Sequence, residues 1–413
     1  MTASSSPGRY AWFVVALLAP VALLNYMDRQ MLAAMKFSLM GDIPDIGSDA
    51  NWGKVLALFK WTYAFLSPVG GYLADRFSRR HVIAGSLMAW SAVTWATGQV
   101  TSYDQLLYTR AIMGVSEAFY IPAALALIAD YHRGPTRSRA VGIHQMGIYA
   151  GVILGGFSGY AADSPDYGWR WMFAMCGWIG IVYAVPLFLL LRNAPREDKQ
   201  REGGQAGAVG ELLRNPSFIL LVLYFTLPAM AGWIVRDWMP AVLKAEFGIG
   251  QGQAGVSATL YWMVAAAFAA GGGGWLADRW MRTTERGRIF TSALGVGMMS
   301  FAMLGVGISP QTGLLWVAIG FLILFGCGWG FFDTNNMPIL CQIAPPNLRA
   351  VGYGMMNLVS ISCGGFADWG FGALRDANTP VLGIFGIFAG VALLSVVLVL
   401  LIRPVVFEES GQG

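Results

Sequence analysis

Three ionisable residues stand inside long apolar stretches of this 413-residue chain: Asp28, Arg110 and Glu117. Asp28 lies in the inner part of its stretch, among apolar neighbours. A carboxylate deep in a membrane helix costs about 2.5–3.5 kcal/mol on insertion scales, and binding a proton relieves that cost. Reversible protonation is therefore one reading of Asp28; an aspartate salt-bridged for packing is the other. Arg110 and Glu117 are seven residues apart, almost two helical turns, so they line one stripe about 10 Å apart along the axis. An arginine is effectively always charged, which makes Arg110 a standing site for a substrate carboxylate. Glu117 is the proton carrier on this reading, its charge responding to whether Arg110 is occupied. The alternative is a structural Arg–Glu network between helices. Arg29, about 100° round the helix from Asp28, points elsewhere and adds a second charge-binding candidate.

Further polar residues in apolar stretches give a weaker set of substrate-binding candidates: Tyr120, His144, Gln145, Trp238, Asn335, Asn336 and Asn357. Asparagine with tryptophan suits a sugar hydroxyl face, by directional hydrogen bonds and stacking. Interhelical hydrogen bonding accounts for the same residues equally well. Enzyme chemistry has no footing, since no nucleophile–base pair, metal cluster or phosphate loop is legible. His81, His132 and His144 are dispersed, and Cys176, Cys327, Cys341 and Cys363 lack metal-ligand spacing and read as core thiols. No cofactor is expected, with the proton as coupling ion.

The elements that carry these residues follow from composition. Hydrophobic residues make up 56% and charged residues 12%, about half the charged share of a soluble domain. The apolar residues fall in runs of about 20, the length that crosses a bilayer as a helix. Lipid cannot satisfy an open sheet's backbone, so the expected fold is all-α, with twelve transmembrane helices. Spans are expected near 11–37, 52–75, 81–100, 104–130, 138–162 and 169–192, then near 215–246, 251–279, 287–308, 313–343, 350–375 and 380–403. The first is too long, and too polar at Asp28, for a cleaved signal peptide. The hydrophilic stretch 193–213 reads as a linker between a bundle at 1–192 and another at 214–413. Basic residues cluster in alternate loops, at Arg76, Arg79 and Arg80, at Arg137 and Arg139, in the linker, and at Arg279, Arg282 and Arg286. The intervening loops are acidic or neutral, so the positive-inside rule puts both termini and the linker in the cytoplasm of a bacterial inner membrane. The net charge of +4 sits in these loops and is no nucleic-acid signal.

The halves repeat. Gly71-Tyr-Leu-Ala-Asp75-Arg76 recurs as Gly274-Trp-Leu-Ala-Asp278-Arg279, Arg139-Ala-Val-Gly142 as Arg349-Ala-Val-Gly352, and Gly155-Gly-Phe157 as Gly364-Gly-Phe366. Three matches in one order point to duplication, the usual architecture of secondary transporters with substrate between the halves. The loop motif resembles the signature of the major facilitator superfamily, with Ser78 where the family has glycine. Within it, Asn25-Tyr-Met-Asp28-Arg29-Gln30 and Thr109-Arg110-Ala-Ile-Met-Gly-Val-Ser-Glu117 resemble both the anion:cation symporters and the spinster-like group. The resemblance implies coupling roles for Asp28, Arg110 and Glu117. It also implies a cytoplasmic latch built from Asp75, Arg76, Arg79, Arg139, Asp278 and Arg279, where setting topology by charge is the plainer role.

The leading expectation is a monomeric proton-coupled symporter of a small organic anion such as a sugar acid, working by alternating access in the lipid bilayer. Lysolipid or sphingolipid transport of the spinster type, and transport of neutral or amino sugars, are the alternatives.

Overall fold

The computed structural model describes residues 8–132, 136–194, 205–345 and 348–404, with the side chains at 71–75 and at 205, 206 and 208 outside the description. The described residues are helical with no strand. Twelve long helices run through the described residues: α1 Arg9–Ala34, α2 Asp49–Arg76, α3 Arg79–Thr97, α4 Tyr103–Tyr131, α5 Arg137–Asp163, α6 Gly168–Leu190, α7 Pro216–Phe247, α8 Gln251–Met281, α9 Gly287–Ile308, α10 Leu315–Ile343, α11 Arg349–Asp376 and α12 Val381–Leu401. Nine are long and apolar enough to cross a bilayer among the described residues; α2, α3 and α11 are not in that set. Large apolar side chains such as Phe65 and Phe268 are 78% and 81% exposed, a pattern that suits lipid rather than water. The linker is partly described: residues 205–213 form a short helix, and 195–204 lie outside the described residues.

Local sequence explains one interruption. α4 is two segments, Tyr103–Glu117 and Tyr120–Tyr131. Pro122 cannot donate to Ala118 O, and its ring clashes with that carbonyl four residues back, so the helix breaks at Ala118–Phe119. Gly70 of α2 fits against this break, where a Cβ would come 2.5 Å from Ala118 O.

The chain forms two compact units, one of residues 1–199 with 236–259 and the other of 200–235 with 260–413. In the first, α1 packs on α5 along Gly147, Gly151 and Gly155, spaced four apart on one face. A Cβ at Gly147 would lie 2.6 Å from Ala19 O and at Gly155 2.7 Å from Met27 O, and at Gly151 it would overlap Leu23 O. Only glycine permits this backbone approach, the small-residue stripe common between membrane helices. Segment 236–259 is fastened within this unit. Gln30 Nε2 donates to Arg236 O at 3.0 Å, and Gln251 Nε2 to Ser38 Oγ at 2.7 Å and Asp163 Oδ1 at 3.0 Å. Lys60 pairs with Asp237.

In the second unit α9 meets α10 glycine to glycine, at Gly295 and Gly328. Gly330 of α10 lies against Ala266 O of α8, and Gly364 of α11 against Trp233 of α7. Of the glycine run 271–274 in α8, only Gly273 is closely covered: a Cβ there would lie 2.9 Å from Phe331 Cα. Gly271 has nothing within 4 Å. Of the cysteines expected in the core, Cys176 is buried, whereas Cys327, Cys341 and Cys363 are half-buried.

Candidate functional site

The charged cluster lies in the first unit, on α1, α2, α3 and α4. Asp28 falls in the C-terminal third of α1 and is buried. It faces α3, where the Thr94 hydroxyl donates to Oδ2 while also bonding Trp90 O. Its Oδ1 is buried with no hydrogen-bond partner among the described residues. Arg29, one residue on, faces α2 and α4, as a 100° step requires.

Glu117 takes its cation from α1. Arg29 Nε and Nη2 both approach Glu117 Oε2 at 2.7 Å, and Nη2 reaches Asn25 Oδ1 at 3.2 Å. The guanidinium carbon sits over the rings of Tyr26, Phe59 and Tyr63 at 4.7, 4.7 and 4.9 Å. Planar guanidinium suits such stacking as well as the carboxylate. Arg110 is 2% exposed and donates to Thr97 Oγ1 at 3.2 Å, with its Nε unpaired among the described residues. An Arg–carboxylate pair this deep repays its desolvation only through good geometry and added contacts, here the Asn25 hydrogen bond and the cation–π contacts of the three rings. Protonating Glu117 would remove the counter-charge from Arg29.

The weaker candidates spread out. Tyr120 and His144 come together: Tyr120 Oη donates to Leu18 O at 3.1 Å and lies 2.9 Å from His144 Nε2, beneath the Trp90 ring. Both are fully buried, so they tie α1, α4 and α5 together rather than line an open space. Gln145 is half-buried. Trp238 is buried, with the Lys36 ammonium over its ring at 4.6 Å. In the second unit Asn335 donates to Phe331 O at 2.8 Å and Asn357 to Tyr353 O at 3.0 Å. Each spends its amide N–H on its own helix, one turn back. Asn336 is buried close by.

The latch residues take separate partners. Arg79 pairs with Asp130 and donates to Ala126 O at 3.1 Å. Arg139 stacks on Trp12 at 5.5 Å and Arg279 on Trp275 at 5.6 Å. Asp278 is exposed, Arg76 closes α2, and the Asp75 side chain lies outside the described residues.

Three participants escaped the sequence reading: Thr94, Thr97 and Lys60, the partner of Asp237. The threonines carry no signal beyond being polar in an apolar run. Lys60 carried one, as a lone ammonium inside the apolar stretch of α2.

Helices of membrane-spanning length that enclose paired charges define a multi-pass integral membrane protein. The chain belongs to the Major Facilitator Superfamily, whose sequence profile matches residues 18–367. Human protein spinster homolog 1 is 34% identical over 262 residues, which cover 60% of this chain and 48% of that protein, so the chain spans about half the length of the relatives it matches. A bacterial homolog to the human lysosomal transporter Spinster, solved inward-facing and unoccupied, matches with TM-score 0.77 at 20% identity over 96% of each chain. A D-xylose–proton symporter matches with TM-score 0.74 at 18% identity, over 96% of this chain and 98% of that one. At these identities the two structures show the shared fold.

Proposed function

We propose that this chain is a secondary active transporter that couples proton entry to symport of a small organic anion, such as a sugar acid, by alternating access. The observation that carries the reading is the buried Arg29–Glu117 pair at 2.7 Å beside Asp28 and Arg110. A proton on Glu117 and an anion on the arginines each relieve the charge left by the other, which is the thermodynamic content of symport. Asp28, with Thr94 as its donor, is the second proton carrier. The halves 1–192 and 214–413 are the moving bodies, joined by the linker 193–213. The Arg79–Asp130 pair, with Asp75, Arg76, Arg139, Asp278 and Arg279, serves as the cytoplasmic latch. Both termini face the cytoplasm of a bacterial inner membrane, and the monomer is the working unit.

In proteoliposomes, Glu117→Gln abolishes uphill uptake of the anion while leaving exchange intact. Accumulation driven by a pH gradient at the wild-type level would overturn the coupling role. A second reading, lysolipid or sphingolipid transport, draws support from the 34% identity to a spinster protein. Competition of uptake by lysolipids and not by sugar acids would favour it.

A further inference from the structure

The second unit holds a carboxylate that the coupling just proposed leaves unused. Asp333 stands on α10, short of its last residue Ile343 by about 15 Å along the axis. It is exposed although it lies that far inside an apolar helix. Ionisable groups at such depth face the bundle interior or water rather than lipid. The flanking positions fix its direction. Gly330 lies against Ala266 O of α8, and Thr334 Oγ1 donates to Ala270 O of the same helix at 3.4 Å. On the other flank Phe332 meets Tyr224 and Phe225 of α7. Asp333 therefore points between α7 and α8, and every residue named here belongs to the second unit.

No cation balances this charge. Among the described residues no arginine or lysine pairs with Asp333, and its polar neighbour is the Asn336 amide one turn on. Arg279, Arg286 and Arg349, at the helix ends, are engaged by the Trp275 ring, Leu400 O and Ala344 O. Asn336 is 1% exposed, yet neither its Nδ2 nor its Oδ1 completes a hydrogen bond among the described residues. Buried polar groups are normally satisfied, so an open amide beside an unbalanced carboxylate marks a place that a ligand completes. Trp329, one turn before Asp333, is half-buried and held edge to face by Trp262 and Phe332, with ring centres 6.2 and 5.6 Å away. Trp329, Asp333 and Asn336 share one helix face and form a stripe about 10 Å long. The donor set selects the ligand. Asp333 and Asn336 Oδ1 are acceptors, so the missing group is a donor. It is a positive one, because a neutral hydroxyl would leave the carboxylate unbalanced in weakly polar surroundings. A primary ammonium brings three N–H donors and one charge, and an indole face attracts it further. A divalent metal ion would lack its ligands, since no three His, Cys, Asp or Glu side chains converge among the described residues.

We propose that Asp333, Asn336 and Trp329 form a binding site for the primary ammonium group of an organic amine or zwitterion. The carboxylate and the Asn336 carbonyl accept its N–H groups, and the indole covers its carbon side. The site goes beyond the anion-symport reading and stands whether or not the first unit couples protons to an anion.

The test uses the full chain purified in detergent at neutral pH and constant sodium, with thermal unfolding followed against added glucosamine, ethanolamine, choline or glucose. Glucosamine, ethanolamine or both raise the wild-type midpoint, because a ligand stabilises the state it binds. Choline, which has no N–H, and glucose, with a hydroxyl in place of the amine, do not at the same concentrations. Glucosamine alone identifies an amino sugar, and ethanolamine alone an amino alcohol. Asp333→Asn weakens the apparent affinity for the active amine at least about tenfold, equivalent to about 1.4 kcal/mol. Without ligand the same variant melts no lower than wild type, because the carboxylate it removes has no cation to lose. Asn336→Leu binds several-fold more weakly and decides the matter if the Asp333 variant does not fold. A lower ligand-free midpoint in Asp333→Asn assigns the residue to packing and overturns the site. So does unchanged amine affinity in either folded variant, equal stabilisation by glucose or choline, or no stabilisation by either amine. Failure of the Glu117→Gln transport test alongside an intact Asp333 effect would instead sink proton coupling alone.

Discussion

At the scale of single residues, the site turns on which helix face each charge occupies. Asp28 and Arg29 are neighbours in sequence, yet Asp28 accepts from Thr94 on α3 and Arg29 holds Glu117 on α4. Removing one member of a buried pair strands the other. Glu117→Ala should therefore destabilise by about 3–5 kcal/mol, while Arg29→Met combined with Glu117→Met recovers most of the loss. Chemical denaturation of the three proteins in one detergent checks this, and equal losses in the single and double variants would refute it. Thr94→Val removes the donor to Asp28 at nearly constant volume and should cost about 1–3 kcal/mol by the same measurement.

At the scale of elements, glycine positions divide into those that set helix separation and those that do not. A side chain at Gly151 meets Leu23 O, which is backbone and cannot swing aside. Gly151→Val therefore pushes α1 off α5 and should cost at least about 1–3 kcal/mol. At Gly354 on α11 an added Cβ would have nothing within 4 Å, so Gly354→Ala should be neutral or stabilising by up to about 1 kcal/mol. Melting both variants beside wild type tests the contrast. The Lys60–Asp237 pair ties α2 to α7 in the same decisive way. Asp237→Ala should lower the midpoint sharply, and the exchange Lys60→Asp with Asp237→Lys should restore part of it.

At the scale of the whole molecule, repetition in sequence does not mean repetition of contacts. Arg139 and Arg349 occupy matching places in the two copies of Arg-Ala-Val-Gly. Arg349 caps the end of α10, donating to Ala344 O at 3.1 Å and Cys341 O at 3.0 Å, whereas Arg139 stacks on Trp12. The units differ in content too. The first encloses the charged cluster, while the second encloses an aromatic one in which Trp329 meets Trp262 and Phe332, and Phe332 meets Tyr224 and Phe225. The topology has its own test: a cysteine placed in the linker should react with an impermeant maleimide only from the cytoplasmic side. Labelling from outside would reverse the orientation.

The twelve helices, their membrane character and the superfamily were all legible in the chain. An apolar run of bilayer length, a basic loop and a duplicated motif are one-dimensional properties, and the cost of exposing backbone in lipid turns them directly into helices. The exceptional charges were legible for the same reason, since Asp28, Arg110 and Glu117 stand out against apolar neighbours. Their partners were not. Each residue turns 100° from the last, so which side chain meets Glu117 depends on how α1 is rotated against α4, and that rotation is set by packing such as the stripe of Gly147, Gly151 and Gly155 on α5. Tertiary structure alone therefore decided that Arg29 rather than Arg110 holds Glu117, that Lys60 finds Asp237 at a separation of 177 residues, and that Arg236 comes to share a tyrosine ring with Arg29.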